Sequence, residues 1–155
     1  MNFSTITNDL FIGTMPSAVD YDQLRELGVR LIINMRFRRG PAPDPNVPPI
    51  DFLWLRTFDS PIFPIPIDKL MRGARAALET IRNGGKVYSH CVRGVHRSVA
   101  MGAAILIAQG HDVDAAIQLI KSRRVVADPN LFYIHSRILR FASQWKANET
   151  KTPRF

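Results

Sequence analysis

Cys91 is the only cysteine in this chain of 155 residues, so no disulfide can close within it and stability must come from a packed core. Long apolar runs are missing too. The longest, Val99 to Ala108, falls well short of the roughly 20 residues that a membrane-spanning helix needs. Met1-Asn2-Phe3-Ser4 has neither the basic region nor the apolar stretch of a secretory leader. With a free thiol suited to a reducing compartment, the expected location is cytoplasmic. The Gly-x4-Gly-Lys-Ser/Thr nucleotide loop is absent, because Gly84-Gly85-Lys86 leads straight into an apolar stretch. His90, Cys91 and His96 lie close together, but structural zinc takes about four ligands and no second cluster stands nearby. No metal and no cofactor is expected. Acidic residues are outnumbered, 13 against 21 Lys and Arg, leaving a formal net charge of +8. Most of the surplus is arginine, whose planar fork matches phosphate and carboxylate oxygens. An anionic partner is favoured, although charge alone does not separate a phosphorylated substrate from a nucleic acid, an acidic membrane face or a merely solvated basic surface.

What is present is globular. Apolar residues make up 46% and charged residues 22%, and the length fits one domain. Leu10 to Gly13 reads as a strand, and Ser17 as the cap of a helix through Leu27 that Gly28 ends. Val29 to Asn34, with β-branched Val29, Ile32 and Ile33 in a largely apolar run, is expected to be a strand buried on both faces, and Phe52 to Leu55 reads as another. Eight of the 11 prolines fall between Pro41 and Pro66, so most of that region is loop. It is either a wall of a binding site or a surface excursion. Asp68 is expected to cap a helix to Arg82, and Lys86 to Ser89 to form a short strand. Further helices are expected over Ser98 to Gln109, from Asp112 to Ser122, and from an Asp128-Pro129 start to Lys146. His111 and His135 read as surface or capping residues. The alternation predicts an α/β single domain with a mostly parallel central sheet flanked by helices.

The informative segment is Ser89-His90-Cys91-Val92-Arg93-Gly94-Val95-His96-Arg97-Ser98, between a predicted strand and a predicted helix. A loop that wraps tightly before a helix turns backbone amides inward, and the helix N-terminus adds positive potential. Gly94 lets the backbone turn. Such a setting lowers a cysteine pKa from about 8.5 to roughly 3.5 to 7.5, making Cys91 a nucleophilic thiolate. Arg97 can return to the mouth of the loop and hold two phosphate oxygens. The chemistry is covalent phosphoryl transfer.

His90-Cys91 followed by Gly94, Arg97 and Ser98 resembles the His-Cys-x-x-Gly-x-x-Arg-Ser signature of the Cys-x5-Arg phosphatases, and within them the small dual-specificity phosphatases. Leu10-Phe11-Ile12-Gly13 looks like their opening strand, and Leu27-Gly28-Val29 through Asn34 like the approach to their second. Arg124, Pro129-Asn130 and Phe132 are similar to residues that precede their last helix. The resemblance covers roughly residues 8 to 145. It implies one phosphatase domain over 1–155, with a core of about 8–146 and a short tail at 147–155. It implies a cysteinyl-phosphate intermediate on Cys91, a cradle made by the amides of Val92, Arg93, Gly94, Val95, His96 and Arg97, and help from Ser98 as the thiolate departs. By the same resemblance His90 orients the loop and helps keep the thiol ionised. Family members place an acidic proton donor about three dozen positions or fewer before the cysteine. Asp59 precedes Cys91 by 32 positions and follows a predicted strand, ahead of Asp51 and Asp68 as candidates.

The implied activity is hydrolysis of phosphomonoesters on phosphotyrosine and phosphoserine or phosphothreonine proteins, with no obligatory nucleic acid. A phosphoinositide or RNA 5'-phosphate substrate stays open, because Arg36, Arg38, Arg39, Arg93 and His96 could hold further phosphates. So does a non-catalytic phosphate-binding module. Rhodanese-like sulfurtransferases also place a cysteine in an anion-binding loop, but theirs is usually one residue shorter.

Overall fold

A run such as Val29 to Met35, apolar at nearly every position, needs cover on both faces. In the computed structural model, which describes residues 1–151, it receives that cover as an inner strand. The strands are β1 (Phe3–Thr5), β2 (Leu10–Thr14), β3 (Val29–Arg36), β4 (Asp51–Thr57) and β5 (Lys86–Cys91). Their order across the sheet is β1-β2-β5-β3-β4, with β1 antiparallel to β2 and the other pairs parallel. The helices are α1 (Tyr21–Glu26), α2 (Ile67–Arg82), α3 (Arg97–Ala108), α4 (Val113–Arg123) and α5 (Phe132–Lys151). This is the mostly parallel α/β domain that the alternation of elements predicts.

Successive strand residues face opposite sides, and two cores follow. Ile12, Leu31, Ile33 and Val87 join α2, α3 and α5 in the larger core. Phe11, Ile32 and Tyr88 join Tyr21, Leu24 and Ile50 under α1. Each fully buried Leu or Ile contributes about 2 kcal/mol. α3 is buried at every position from Arg97 to Leu106, as a helix without a polar face must be. Gly102 permits its close approach to the sheet, since a Cβ there would lie 2.4 Å from Ile12 Cδ1. Among the described residues no helix is long and apolar enough to cross a membrane.

Four local expectations are corrected. β1 is an extra strand, held by its pairing to β2 and by Phe3 packing edge-on against Phe11 and Tyr88. Pro66, rather than Asp68, occupies the cap of α2, and its carbonyl takes the Lys69 and Leu70 amides, which leaves Asp68 in the first turn. Asp128-Pro129 does not start α5, because the Asp128 amide is turned to the Val95 carbonyl and the helix begins at Phe132. α5 then continues to Lys151, so residues 147–151 are helix rather than tail. The rest of the expected tail lies outside the described residues.

The proline-rich stretch divides around β4. Its first half folds back on α1, where Arg25 pairs with Asp22 and the buried Asp44 and donates to the Pro48 carbonyl. Its second half carries Asp59 toward the end of β5.

Candidate active site

β5 ends at Cys91 and α3 begins at Arg97, so Val92 to His96 wraps between the central strand and the buried helix. This is the carboxyl end of the parallel strands, where open α/β sheets leave a crevice. The carbonyls of the wrap are tied down on its outer side. Arg124 Nε donates to the Gly94 carbonyl at 2.7 Å and Nη2 to the Arg93 carbonyl at 3.1 Å. The Asp128 amide donates to the Val95 carbonyl at 3.0 Å. Across a trans peptide the carbonyl and the following N–H point in opposite directions. The amides of Gly94, Val95 and His96 are therefore turned to the inner side, where Cys91 sits. Gly94 has φ +66°, and a Cβ there would lie 2.7 Å from both Arg124 Nη2 and the Gly13 carbonyl oxygen.

Cys91 is 4% exposed. Burial pushes its thiol pKa up, but the Ser98 hydroxyl, the amides of Ser98 and Gly94 and the charge of Arg97 outweigh that, and the net shift is downward. Ser98 Oγ lies 3.2 Å from Sγ. His90 is buried directly before it, and its pKa falls to about 4, first through desolvation and then through the charges of Arg36 and Arg97, against the Cys91 carbonyl. At neutral pH it is uncharged. Its Nδ1 lies 3.4 Å from the Cys91 carbonyl, so it meets the loop backbone but lends the thiolate no positive charge.

Arg97 is 7% exposed. Its Nη1 donates to the carbonyls of Thr57 at 2.6 Å and Met35 at 3.2 Å, while its Nε is buried with no acceptor. Buried donors are rarely left unpaired. One edge of the guanidinium is thus fixed by β3 and β4, and donor capacity remains for an oxyanion that binds in a fork.

A cavity of about 210 Å³ opens here, lined by Asp59 and by loop residues from Cys91 to Arg97. Larger hollows lie elsewhere, about 420 Å³ beside α2 and 490 Å³ between α3 and α5, but neither is lined by a cysteine. Asp59 is the carboxylate at the small cavity; Asp51 lines the hollow beside α2, and Asp68 sits on α2. Asp59 Oδ2 lies 2.8 Å from His96 Nδ1, and Oδ1 accepts the Tyr133 hydroxyl at 2.7 Å. Burial works to raise its pKa, yet the two hydrogen bonds and the charges of His96 and Arg97 hold it below the ordinary carboxylate value. Burial, reinforced by Asp59, pushes the Tyr133 phenol up to about 12. Arg36 sits near the charges of Arg97 and Cys91, but none of Arg36, Arg38 and Arg39 lines the cavity.

The sequence-predicted Cys91, Arg97 and Asp59 thus line one hollow, with Ser98 buried against the Cys91 thiol. Sequence reasoning missed the carbonyls of Met35 and Thr57, because carbonyls have no letter of their own, and it missed Tyr133, 74 positions from Asp59. The sequence points to His96 for its amide and its possible charge, and gives no sign of its contact with Asp59.

No family model matches the chain. It is similar to dual specificity phosphatase 28 of Mus musculus, 32% identical over 130 residues that span 83% of this chain and 77% of that protein. The Homo sapiens protein of the same name is 31% identical over 126 residues, 81% of this chain and 69% of the other. A crystal structure of a mouse dual specificity phosphatase complexed with zinc tungstate superposes with a TM-score of 0.82 at 29% identity, over 95% of this chain and 90% of that one.

Proposed function

The chain belongs to the dual-specificity phosphatase family of cysteine-based protein tyrosine phosphatases, and from that premise we propose that it hydrolyses phosphotyrosine and phosphoserine or phosphothreonine esters in two steps through Cys91. The observation that carries this reading is the unpaired, buried Nε of Arg97 beside a cysteine whose thiol pKa is shifted downward by Ser98, the Gly94 amide and Arg97. A tetrahedral dianion completes both: it accepts from Arg97 and from the inward amides of Gly94, Val95 and His96. The tungstate in the mouse relative's crystal is an oxyanion of the same shape, which supports the assignment.

In the first step the Sγ lone pair forms the S–P bond as the P–O bond to the leaving group breaks. The leaving oxygen takes a proton from Asp59, the carboxyl at the cavity mouth. In the second step a water attacks phosphorus, Asp59 takes its proton, and the S–P bond breaks to release inorganic phosphate. The Ser98 hydroxyl, 3.2 Å from Sγ, donates to the returning thiolate. No step calls for a metal. The hollow of about 210 Å³ is smaller than the roughly 300 to 1,000 Å³ of most ligand pockets, which suits phosphate on several kinds of side chain presented at the surface of a protein.

Purified wild type, Cys91→Ser and Asp59→Asn, assayed on phosphopeptides and on small aryl esters, test this reading. Cys91→Ser should lose turnover by at least about a thousandfold. Asp59→Asn should lose about a hundredfold on phenyl phosphate and much less on para-nitrophenyl phosphate, whose leaving group hardly needs a proton. Wild-type turnover by Cys91→Ser would end the proposal, and an equal loss on both esters would remove Asp59 as the acid.

A further inference from the structure

Asp59 is described above as the acid, yet in the resting site it is held as a carboxylate by two donors. His96 Nδ1 lies 2.8 Å from one oxygen and the Tyr133 hydroxyl 2.7 Å from the other. A carboxylate so well satisfied is a poor proton carrier at neutral pH when it acts alone.

His96 is the cap of α3, with φ −119° and ψ −76°, so its ring arises from the loop whose amides face the oxyanion. His96 and Asp59 side chains are 19% and 32% exposed, and both line the cavity. The ionisable groups around the pair are known from each neighbouring element. The loop and α3 contribute Cys91, Arg93 and Arg97, the end of β3 contributes Arg36, α5 contributes Tyr133, and the α4–α5 connection contributes Asp128. Imidazole is the side-chain type whose protonation ordinarily changes between about pH 5 and 8; of those others only Cys91, whose thiol pKa is lowered, can approach that range.

Resting on the phosphatase reading, we propose that His96 and Asp59 share the single proton that the leaving group takes, with His96 as its reservoir and Tyr133 as the fixed donor that orients the carboxylate. Before substrate binds, the proton sits on Nδ1 and Asp59 is ionised. A dianionic ester in the cradle places negative charge beside the carboxylate and favours its protonated form. The proton leaves Nδ1 for Asp59, and Asp59 delivers it to the leaving oxygen as the P–O bond breaks. The pair is then one proton short. In the second step the proton stripped from the attacking water returns to Asp59 and so to the imidazole. The His96 imidazole is a positioning group here: apart from the backbone amide, which His96→Asn leaves in place, the residue acts on the ester only through Asp59.

The test is the pH profile of kcat/KM for phenyl phosphate in wild type and His96→Asn, a variant that keeps an N–H donor toward Asp59 but cannot hold a titrating proton. The alkaline limb should move toward acid by about one pH unit or more in the variant. With para-nitrophenyl phosphate, which needs little protonation, the limb should stand at the same pH in both proteins. A limb that stays put on phenyl phosphate while the rate merely drops would reduce His96 to scaffolding and overturn the proposal. If wild type and Cys91→Ser are alike inert on every ester, the phosphatase reading itself fails and the proton pair goes with it. If wild type turns over and Asp59→Asn behaves as above but the His96 limb does not move, only the pair is wrong.

Discussion

Two buried arginines hold the same loop from opposite sides, and they are not alike. On the outer side Arg124, 3% exposed, spends its donors on the carbonyls of Gly94 and Arg93, the side-chain carbonyl of Asn2 and the hydroxyl of Ser4. On the inner side Arg97 anchors one nitrogen on Met35 and Thr57 and leaves Nε without a partner. Burying a guanidinium is costly unless hydrogen bonds replace water. Arg124 has made that exchange within the protein. Arg97 completes it only when an anion arrives, so the missing bond, more than burial or charge, separates the binding arginine from the structural one. The two are also linked: by drawing carbonyls outward, Arg124 turns amides inward beside Arg97.

Replacing each by methionine should break the symmetry between them. Arg97→Met should lower kcat/KM by about a thousandfold or more, the scale of losing an oxyanion donor together with its charge. Its stability cost should be smaller, about 1 kcal/mol, because the Met35 carbonyl keeps the Thr57 hydroxyl as a donor at 2.6 Å, only the Thr57 carbonyl loses its side-chain donor, and one unpaired donor is removed as well. Arg124→Met should do the reverse. It strands two buried carbonyls and should cost about 3 kcal/mol in urea unfolding, while the activity of the protein that remains folded drops by only about tenfold. If the two variants rank the same way in both assays, the division between a binding and a structural arginine is wrong.

The inner side was legible in the sequence because its signals are local. Cys91, Gly94, Arg97 and Ser98 stand at fixed offsets between a short strand and an apolar helix, and the cap Asp112 and the stop at Gly110, with φ +108°, follow equally local rules. Much of the outer side was not. Arg124 stood out only through resemblance, because nothing in its neighbours says that it reaches Gly94, 30 positions away. β1 is three residues long and depends on the partner it pairs with, so no periodicity announces it. Asp128-Pro129 carries a good helix-start signal that loses to tertiary structure, since the Asp128 amide is worth more on the Val95 carbonyl than in a helical turn. The proline-rich stretch reads as loop on both sides of the Phe52 to Leu55 strand, but no local signal says that Arg25 and Asp44 fasten the first half far from the chemistry while the second carries Asp59.

The finest test of the comparison uses His90 as a reporter. Burial drops its pKa from 6.5 to about 4, and the charge of Arg97 adds to that depression whereas Arg124 is not among its causes. The unfolded chain, with an ordinary histidine, takes up a proton as pH falls through about 6.5, while the folded chain does not until about pH 4. The unfolded state thus binds more protons in that window, and folding stability declines as pH falls from about 6.5 to 4, by at most about 1.4 kcal/mol per pH unit. His90→Asn should flatten this slope in urea unfolding measured at pH 7, 6 and 5. Asp20, Asp44 and Asp59, whose pKa values are lowered from 3.8, lose their contribution mainly below pH 5, and because the Cys91 thiol, also lowered, titrates with the same sign as His90, every slope is compared in a Cys91→Ser background. In Arg97→Met the histidine is freed of one repelling charge, its folded pKa rises, and the slope should become shallower by a few tenths of a kcal/mol. In Arg124→Met the overall stability is lower, but the slope should match wild type. An equal change of slope in both variants would mean that the two guanidinium charges act alike on the interior of the loop, whatever their hydrogen bonds.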